Sequence, residues 1–344
     1  MTQVSQTHMA REVAEIPAAT RRFLTDSAAA VQAAAAAMRA ADPSLIVTVA
    51  RGSSDHAATY LKYAVELLAG IPVASVGPSV ASIYGRPLRL NGAACIGISQ
   101  SGKSPDIVAM TEAARAGGAL TLAITNVADA PMAKAAAYCL PLAAGDELSV
   151  AATKTFVSSV VAGLALLAEW QNDSGLRDAV ADLPDAFAKA LTMDWTPLSD
   201  RLSRAQQAYV LGRGPGFAIA AEMALKFKET CGLHAESYSA AEVLHGPSAI
   251  VQERFPVLAL AVEDAALTQI TATAERLAAQ GADVFITGAK ATSCTTLPAV
   301  TGLHPLMAPL VNAVSFYAFV EGLARRRGFD PDTPPHLRKV TQTL

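Results

Sequence analysis

One stretch of the chain combines three serines, a glutamine and a glycine between an apolar run and a helical run: Ser99-Gln100-Ser101-Gly102-Lys103-Ser104. Hydroxyls and backbone N–H groups at the start of a helix favour an anion, because the helix dipole is positive there. An ordinary helix cap would need only one serine. We therefore predict an anion site with phosphate as its natural occupant. From the position of Lys103 we do not expect a Walker A nucleotide loop.

A second loop of this kind follows an earlier apolar run and contains Arg51, Gly52, Ser53 and Ser54. Gly52 allows the backbone to approach a ligand closely, and the two serines add hydroxyl donors. The loop can line the same phosphorylated ligand. Ser-Ser-Asp is also an ordinary helix start, so the local sequence leaves both interpretations open.

Three charged residues, Glu222, Lys226 and Glu229, are spaced by four and then three positions and share one face of a predicted helix. Ion pairs on a solvated helix surface are the ordinary interpretation. This helix follows Arg213-Gly214 at the end of a predicted strand, however, so its charged face can lie at the sheet edge where α/β proteins bind ligands. A carboxylate there suits proton transfer between neighbouring sugar carbons.

Two further residues are candidates for catalysis. His245 stands at a tight Gly-Pro bend, where an imidazole could open a pyranose ring, although a turn histidine bonded to backbone is an equal alternative. Lys339 stands in the C-terminal tail, which could be a frayed end. If it is buried, Lys339 could instead pair with a carbonyl or form an imine.

Alternating strand-like and helical runs must position these residues. The strand-like runs are followed by helical ones from Leu45 onward, which is typical of a parallel α/β sheet. The pattern restarts near Ala208, and both halves contain a strand that ends in Arg-Gly and leads into a helix. Two copies of one fold are therefore expected.

The two copies differ where chemistry would take place. The second-half strand Val257–Ala261 leads into Val262-Glu263-Asp264 rather than into a hydroxyl-rich loop. We therefore expect a single site that draws on both halves. The predicted boundaries are an N-terminal helical segment, a first domain, a linker, a second domain and a tail over the active site: 1–27, 28–175, 176–199, 200–330 and 331–344.

Composition limits the function classes. The 344 residues carry a net charge of −3, which provides no basic field for nucleic acid or an anionic membrane. Four cysteines far apart in the sequence argue against structural zinc or a disulfide framework. No metal or cofactor is expected. With no export signal and no apolar run of bilayer length, we expect a cytoplasmic protein.

Together these motifs resemble the sugar isomerase (SIS) domain family, and in particular the isomerase portion of glucosamine-6-phosphate synthase. The motifs are the serine loop, Val150-Ala-Ala-Thr-Lys154, the Glu222 helix, His245-Gly-Pro and the Lys339 tail, in that order. The resemblance implies two tandem SIS domains, each a mainly parallel five-stranded sheet flanked by helices. In detail the loops look most like those of SIS-type glucosamine-6-phosphate deaminases.

The resemblance also implies roles. Glu229 would move a proton between C1 and C2, with Lys226 and Glu222 adjusting its charge. His245 would open the ring and come from the partner subunit of a homodimer, and Lys339 would contact the open-chain carbonyl. The residues implied to bind the phosphate and the sugar hydroxyls are Gly52, Ser53, Ser54, Ser99, Gln100, Ser101, Ser104, Ala151 and Ala152.

Departures from the synthase pattern leave alternatives. The synthase has cysteine at Arg51, threonine at Ser53 and serine at Ala152, and the partner of the Arg51 charge is unknown from the sequence. Met1-Thr2-Gln3 leads almost directly into the first SIS domain, so we expect no glutaminase domain and therefore deamination rather than synthesis. The alternatives are a fructosamine-6-phosphate deglycase and a non-catalytic sugar-phosphate sensor.

Overall fold

The structure is a computed structural model that describes residues 6–339. The residues before Gln6 and after Lys339, including Met1-Thr2-Gln3 and the end of the predicted tail, lie outside this range. The elements up to residue 182 are α1 (His8–Ala14), α2 (Ile16–Asp26), α3 (Ala28–Ala41), β1 (Leu45–Val49), α4 (Ser53–Leu68), β2 (Val73–Ser75), α5 (Ser79–Ser82), β3 (Ala93–Ile98), α6 (Pro105–Ala116), β4 (Leu120–Thr125), α7 (Pro131–Ala135), β5 (Tyr138–Pro141), α8 (Lys154–Trp170) and α9 (Ser174–Ala181).

The second half repeats this alternation of strands and helices. Its elements are α10 (Leu183–Ala190), α11 (Thr196–Leu202), β6 (Gln207–Gly212), α12 (Pro215–Cys231), β7 (His234–Ser239), two 3-10 turns (Glu242–His245 and Pro247–Ile250), β8 (Pro256–Ala259), α13 (Leu267–Ala279), β9 (Asp283–Thr287), β10 (Thr295–Leu297) and α14 (Ala308–Arg326).

The first of two compact units contains the sheet β2-β1-β3-β4-β5, in which every pairing is parallel. All six residues of β3 are buried, as expected for a strand covered by helices on both faces. α8 is buried along nearly its whole length and packs against α3 and α4. This unit comprises Ala18–Glu147, Lys154–Asp182 and, at the end of the described chain, Arg338 and Lys339.

The second unit contains the sheet β10-β9-β8-β6-β7, which is also entirely parallel and has the same order when its strands are counted from β6. α12 packs against β7 and α14. The unit comprises the described residues up to Pro17, Leu148–Thr153 and Leu183–Leu337. The prediction of two α/β domains with five-stranded parallel sheets is confirmed.

In each sheet the chain reverses its direction of strand addition between two central strands, β1 and β3 in the first and β6 and β8 in the second. The carboxyl ends of strands at such a switch point form the crevice where α/β proteins bind ligands. The helix after the first central strand begins at a glycine in both units. Gly52 has φ 56° and ψ −132°, and Gly214 has φ 54° and ψ −133°, a conformation that side-chain-bearing residues rarely adopt.

The alternation expected from Leu45 onward is present, since β1 begins at Leu45 and is followed by α4. The predicted linker 176–199 is largely helical, since α9 continues into it and α10 and α11 follow. The change of unit falls between Asp182 and Leu183. All four cysteines are free. Within residues 6–339, no helix has both the length and the apolar character needed to cross a membrane.

Candidate active site

The serine loop lies at the carboxyl end of β3, at the switch point of the first sheet. Backbone hydrogen bonds fix it to the end of β4 and to α7. The N–H of Ser99 donates to Ile124 O at 3.1 Å, and the N–H of Met132 in α7 donates to Gly102 O at 3.0 Å. Gly102 has φ +61°, and a Cβ there would lie 2.7 Å from the Cβ of Ala130. A side chain at this position would therefore disrupt the loop.

The hydroxyls of the loop are oriented to donate. Ser99 Oγ accepts the N–H of Gly102 at 3.2 Å, and Ser101 Oγ accepts the N–H of Lys103 at 3.3 Å. Among the described residues, neither hydroxyl donates to a protein acceptor. Because a serine hydroxyl carries one hydrogen as well as its lone pairs, both retain that hydrogen for a bound anion.

The argument from spacing against a Walker A loop is wrong, because Gly97 and Gly102-Lys103-Ser104 do have the Gly-x-x-x-x-Gly-Lys-Ser spacing. The structure shows the difference. Gly97 and Ile98 are strand residues, paired with Ala123 and Ile124 of β4, so the loop begins only at Ser99. The helix that follows begins at Pro105, which has no N–H to donate to a phosphate.

The start of α6 already holds a carboxylate. Pro105 supplies no N–H, and Asp106 Oδ1 accepts the N–H of Ile107 at 2.9 Å. Asp106 Oδ2 accepts Nε and Nη2 of Arg51 at 3.0 and 2.9 Å. The Asp106 side chain is fully buried, whereas the Arg51 side chain is 53% exposed. The partner of Arg51, which the sequence left unnamed, is therefore Asp106.

The loop after β1 supplies the second group of predicted ligands. Gly52 caps α4, and Ser53 and Ser54 are half-buried in its first turn. β1 and β3 are neighbours in the sheet, so both serine-bearing loops leave the same edge at adjacent strands. The structure thus brings the two predicted phosphate loops together within the first unit.

On α12 of the second unit, the structure brings Glu222, Lys226 and Glu229 together as the spacing predicts. Lys226 Nζ lies 3.4 Å from Glu222 Oε1 and also donates to Glu229 Oε2. Burial of Lys226 opposes its charge, but the attraction of Glu222 and Glu229 outweighs burial and raises the pKa of Lys226. The lysine therefore stays an ammonium ion between two carboxylates.

Exposure separates the two carboxylates. The side chains of Lys226 and Glu222 are 0% and 1% exposed, while that of Glu229 is 21% exposed. Tyr317 of α14 donates its hydroxyl to Glu222 Oε1 at 2.9 Å, which anchors the buried end of the cluster. Of these groups, Glu229 alone presents a substantial surface to a ligand, and the others can act only through it.

His245 ends the first 3-10 turn and is exposed, next to Gly246 at φ 138°. Among the described residues, no hydrogen bond joins its imidazole to a protein group. The alternative of a turn histidine bonded to backbone is therefore not what the structure shows.

The segment with Ala151 and Ala152 has no regular secondary structure and belongs to the second unit. Buried Glu12 of α1 fixes it, accepting the N–H groups of Leu148 and Ser149 and the hydroxyl of Ser149. The N–H of Val150 donates to the backbone oxygen of Asp332 at 3.2 Å. Ala151 is buried and Ala152 half-buried.

Lys339 is neither frayed nor deeply buried. Its Nζ lies 2.7 Å from Oε2 of Glu147, with side-chain exposures of 24% and 0%. Thr155 donates its N–H to Glu147 Oε1 at 3.0 Å and its hydroxyl to Oε2 at 2.7 Å. Burial alone would raise the pKa of Glu147, but Lys339 and the Thr155 hydrogen bonds lower it.

Glu147→Gln should destabilise the first unit by about 1.5–3 kcal/mol near neutral pH, the range for a hydrogen bond to a charged group. Since the folded pKa of Glu147 is lowered, its contribution is present above its ordinary pKa of 4.5 and is lost as the pH falls through the lowered value. Urea unfolding of both proteins at several pH values measures this. A difference that persists unchanged under strongly acidic conditions contradicts the assignment.

Sequence reasoning missed four residues of these clusters: Glu12, Asp106, Glu147 and Tyr317. Each contacts a candidate site residue or segment from a distant part of the chain, and no local pattern marks such a pair. Asp106 had a local signal, because it follows the serine loop by two positions. Within residues 6–339, no group of His, Cys, Asp and Glu could hold a metal ion.

Comparison with known proteins shows the family of the chain. The profile of the SIS domain matches residues 41–169 and 201–318. The isomerizing glutamine–fructose-6-phosphate aminotransferase of Zymomonas mobilis subsp. mobilis is 31% identical over 315 residues, which cover 86% of this chain and 51% of that protein. The chain therefore spans about half the length of this relative.

Two solved structures agree with this result. One is a protein of Silicibacter pomeroyi DSS-3, provisionally assigned as a phosphosugar isomerase, which is 54% identical to this chain with a TM-score of 0.92. The match covers 95% of this chain and 100% of the Silicibacter pomeroyi chain. The C-terminal domain of glucosamine-fructose-6-phosphate aminotransferase from Francisella tularensis has a TM-score of 0.83, with 97% and 100% coverage. At 24% identity, the latter likeness concerns the fold alone.

Proposed function

Because the chain belongs to the SIS domain family, we propose that it is a sugar-phosphate isomerase whose substrate is glucosamine 6-phosphate. It converts this substrate and water into fructose 6-phosphate and ammonia. The names of its relatives support a phosphorylated sugar as the ligand, since they refer to fructose 6-phosphate and to phosphosugars. The detailed likeness of its loops to SIS-type deaminases supports loss of the amino group.

The observation that carries this proposal is the buried Glu222–Lys226–Glu229 cluster. A sensor needs to bind a sugar phosphate but has no use for a carboxylate held against a buried ammonium. Moving a proton between neighbouring carbons requires a carboxylate that is accessible, fixed in position and close to a charge that stabilises its anionic form. Glu229 meets these three requirements.

The proposed reaction begins with recognition and ring opening. The hydroxyls of the serine loop and of Ser53 and Ser54 hold the phosphate, and His245 transfers the proton that converts the pyranose into the open-chain aldehyde. Its exposure and its lack of a partner among the described residues suit a side chain that meets ligand in an assembly, so we further propose a homodimer in which His245 acts across the interface.

Glu229 then removes the proton from C2 and returns it to C1. The electron pair of the C2–H bond forms the enolamine, and protonation at C1 leaves an imine at C2. Water adds to this imine, ammonia leaves and fructose 6-phosphate remains, so atoms and charges balance without an oxidant or a cofactor. Lys339, held as the partner of Glu147, donates to the carbonyl oxygen of the open chain.

One incubation tests the proposal. Purified protein and glucosamine 6-phosphate should yield ammonia and fructose 6-phosphate in equal amounts, measured by enzyme-coupled assays. Absence of both products would refute deaminase activity. Turnover of a fructosamine 6-phosphate in its place would identify a deglycase, and binding without turnover of either compound would identify a sensor.

A further inference from the structure

The pair Arg51–Asp106 lies beside the proposed phosphate loop and takes no part in the reaction described above. Asp106 follows Ser104, the last residue of the loop, by two positions and has a fully buried side chain. Its two carboxylate oxygens are occupied by the N–H of Ile107 and by the Arg51 guanidinium. Arg51 provides its only side-chain ion pair among the described residues.

A buried carboxylate at this position opposes the binding of a phosphate dianion. Both are negative, and their repulsion is weakly screened where the carboxylate is removed from water. A carboxylate in the first turn of a helix also uses the favourable end of the helix dipole that an anionic ligand would otherwise occupy. Without compensation, Asp106 would weaken the anion site.

Arg51 faces a second carboxylate from the helix that it precedes. Asp55 lies in the first turn of α4, where burial raises its pKa and the charges of His56 and Arg51 act in the opposite direction. The charged groups around the two strand ends are thus Asp55, His56 and Arg51 after β1, and Lys103 and Asp106 after β3. Arg51 is hydrogen-bonded to the buried carboxylate, whereas Lys103 is exposed to water.

We propose that Arg51 is a positioning residue that neutralises Asp106 and thereby allows the Ser99–Ser104 loop to accept the dianionic phosphate of a sugar phosphate. In this role Arg51 acts through Asp106 rather than by touching the ligand. The inference rests on the proposed phosphate site. It also explains why an arginine stands where the synthase pattern has an uncharged cysteine.

A double-mutant cycle tests the inference with fructose 6-phosphate and inorganic phosphate as probes, by titration calorimetry at about pH 8, where a phosphate monoester is a dianion. Arg51→Met should weaken binding by about tenfold or more, because it leaves a buried negative charge uncompensated. Asp106→Asn, which keeps an oxygen for the N–H of Ile107, should tighten binding by about threefold or more. The double variant should return to within about twofold of wild type, whereas two independent effects would leave it about threefold weaker.

The cycle separates compensation from direct contact. If Arg51 touches the phosphate, the double variant will bind as weakly as Arg51→Met, and the inference is overturned. The inference is also overturned if Asp106→Asn binds the probes no more tightly than wild type does. If Arg51→Met fails to fold, the binding measured for Asp106→Asn decides the question by itself. In steady-state assays the changes should fall on KM and leave kcat within about threefold.

Arg177→Met is the matched control, since Arg177 is another ion-paired arginine of the first unit, with Glu169 as its partner. It should bind both probes as wild type does. Wild-type protein that binds neither probe would overturn the proposed phosphate site and this inference with it. Wild-type binding combined with a failed cycle would overturn the role of Arg51 alone.

Discussion

Glu229→Gln should retain sugar-phosphate binding and lose turnover of glucosamine 6-phosphate by about 10²-fold or more, the usual range for loss of a general base. Glutamine has nearly the same shape and can still accept a hydrogen bond from Lys226, but it cannot take a proton from C2. The loss should therefore appear in kcat, while the dissociation constant of fructose 6-phosphate stays within about threefold.

Lys228→Gln is the control for this prediction. Lys228 lies next to Glu229 on α12 but is exposed, and it takes no part in the buried cluster. Its variant should turn over at the wild-type rate. Exchange with solvent deuterium provides an independent measurement, because deuterium should enter C2 of the substrate or C1 of the product with wild type and not with Glu229→Gln. A Glu229→Gln protein with near-normal turnover refutes the assignment of the base.

Features with a short sequence separation were accessible from the sequence. The shared face of Glu222, Lys226 and Glu229 follows from helical geometry over eight residues, and the order of strands and helices follows from hydrophobic periodicity. The position of the serine loop at a strand end follows from the same alternation. These parts of the fold and of the candidate site depend on neighbouring residues along the chain.

Features that depend on distant pairs were not accessible. Tyr317 and Glu222 are 95 positions apart, and Lys339 and Glu147 are 192 positions apart. Neither pairing leaves a periodic or local signal, because tertiary packing alone brings the partners together. The exposure of Glu229 compared with Glu222 is also a tertiary property, since β7 and α14 cover one part of α12. Which of the two carboxylates is accessible to a ligand and which is buried could therefore be seen only in the structure.

The other large effect expected concerns stability. Lys226→Met should lower the free energy of unfolding of the second unit by about 3–5 kcal/mol, the range for breaking a buried ion pair by removing one partner. The variant leaves Glu222 fully buried, with Tyr317 as a hydrogen-bond donor but without the Lys226 ammonium beside it. Methionine fills the volume of the lysine stem, so the loss reports on charge rather than on a cavity.

Two comparisons isolate the charge. Lys226→Met/Glu222→Gln should recover part of the loss, because no uncompensated buried charge remains and glutamine can still accept the hydroxyl of Tyr317. Arg326→Met, which removes a largely exposed ion pair with Asp200, should change stability by no more than about 1 kcal/mol. Urea unfolding followed by tryptophan fluorescence provides the measurement, since Trp195 is buried within this unit.

The contribution of Lys226 to the free energy of unfolding depends on pH in a definite direction. Because the folded pKa of Lys226 is raised, its contribution is fully present below its ordinary pKa of 10.5 and is lost only as the pH rises through the raised value. The difference between wild type and Lys226→Met should therefore stay constant across the neutral range and decrease only in strongly alkaline solution. If it disappears near neutral pH, Lys226 is uncharged there, and Glu229 lacks the buried cation on which its proposed role as a base depends.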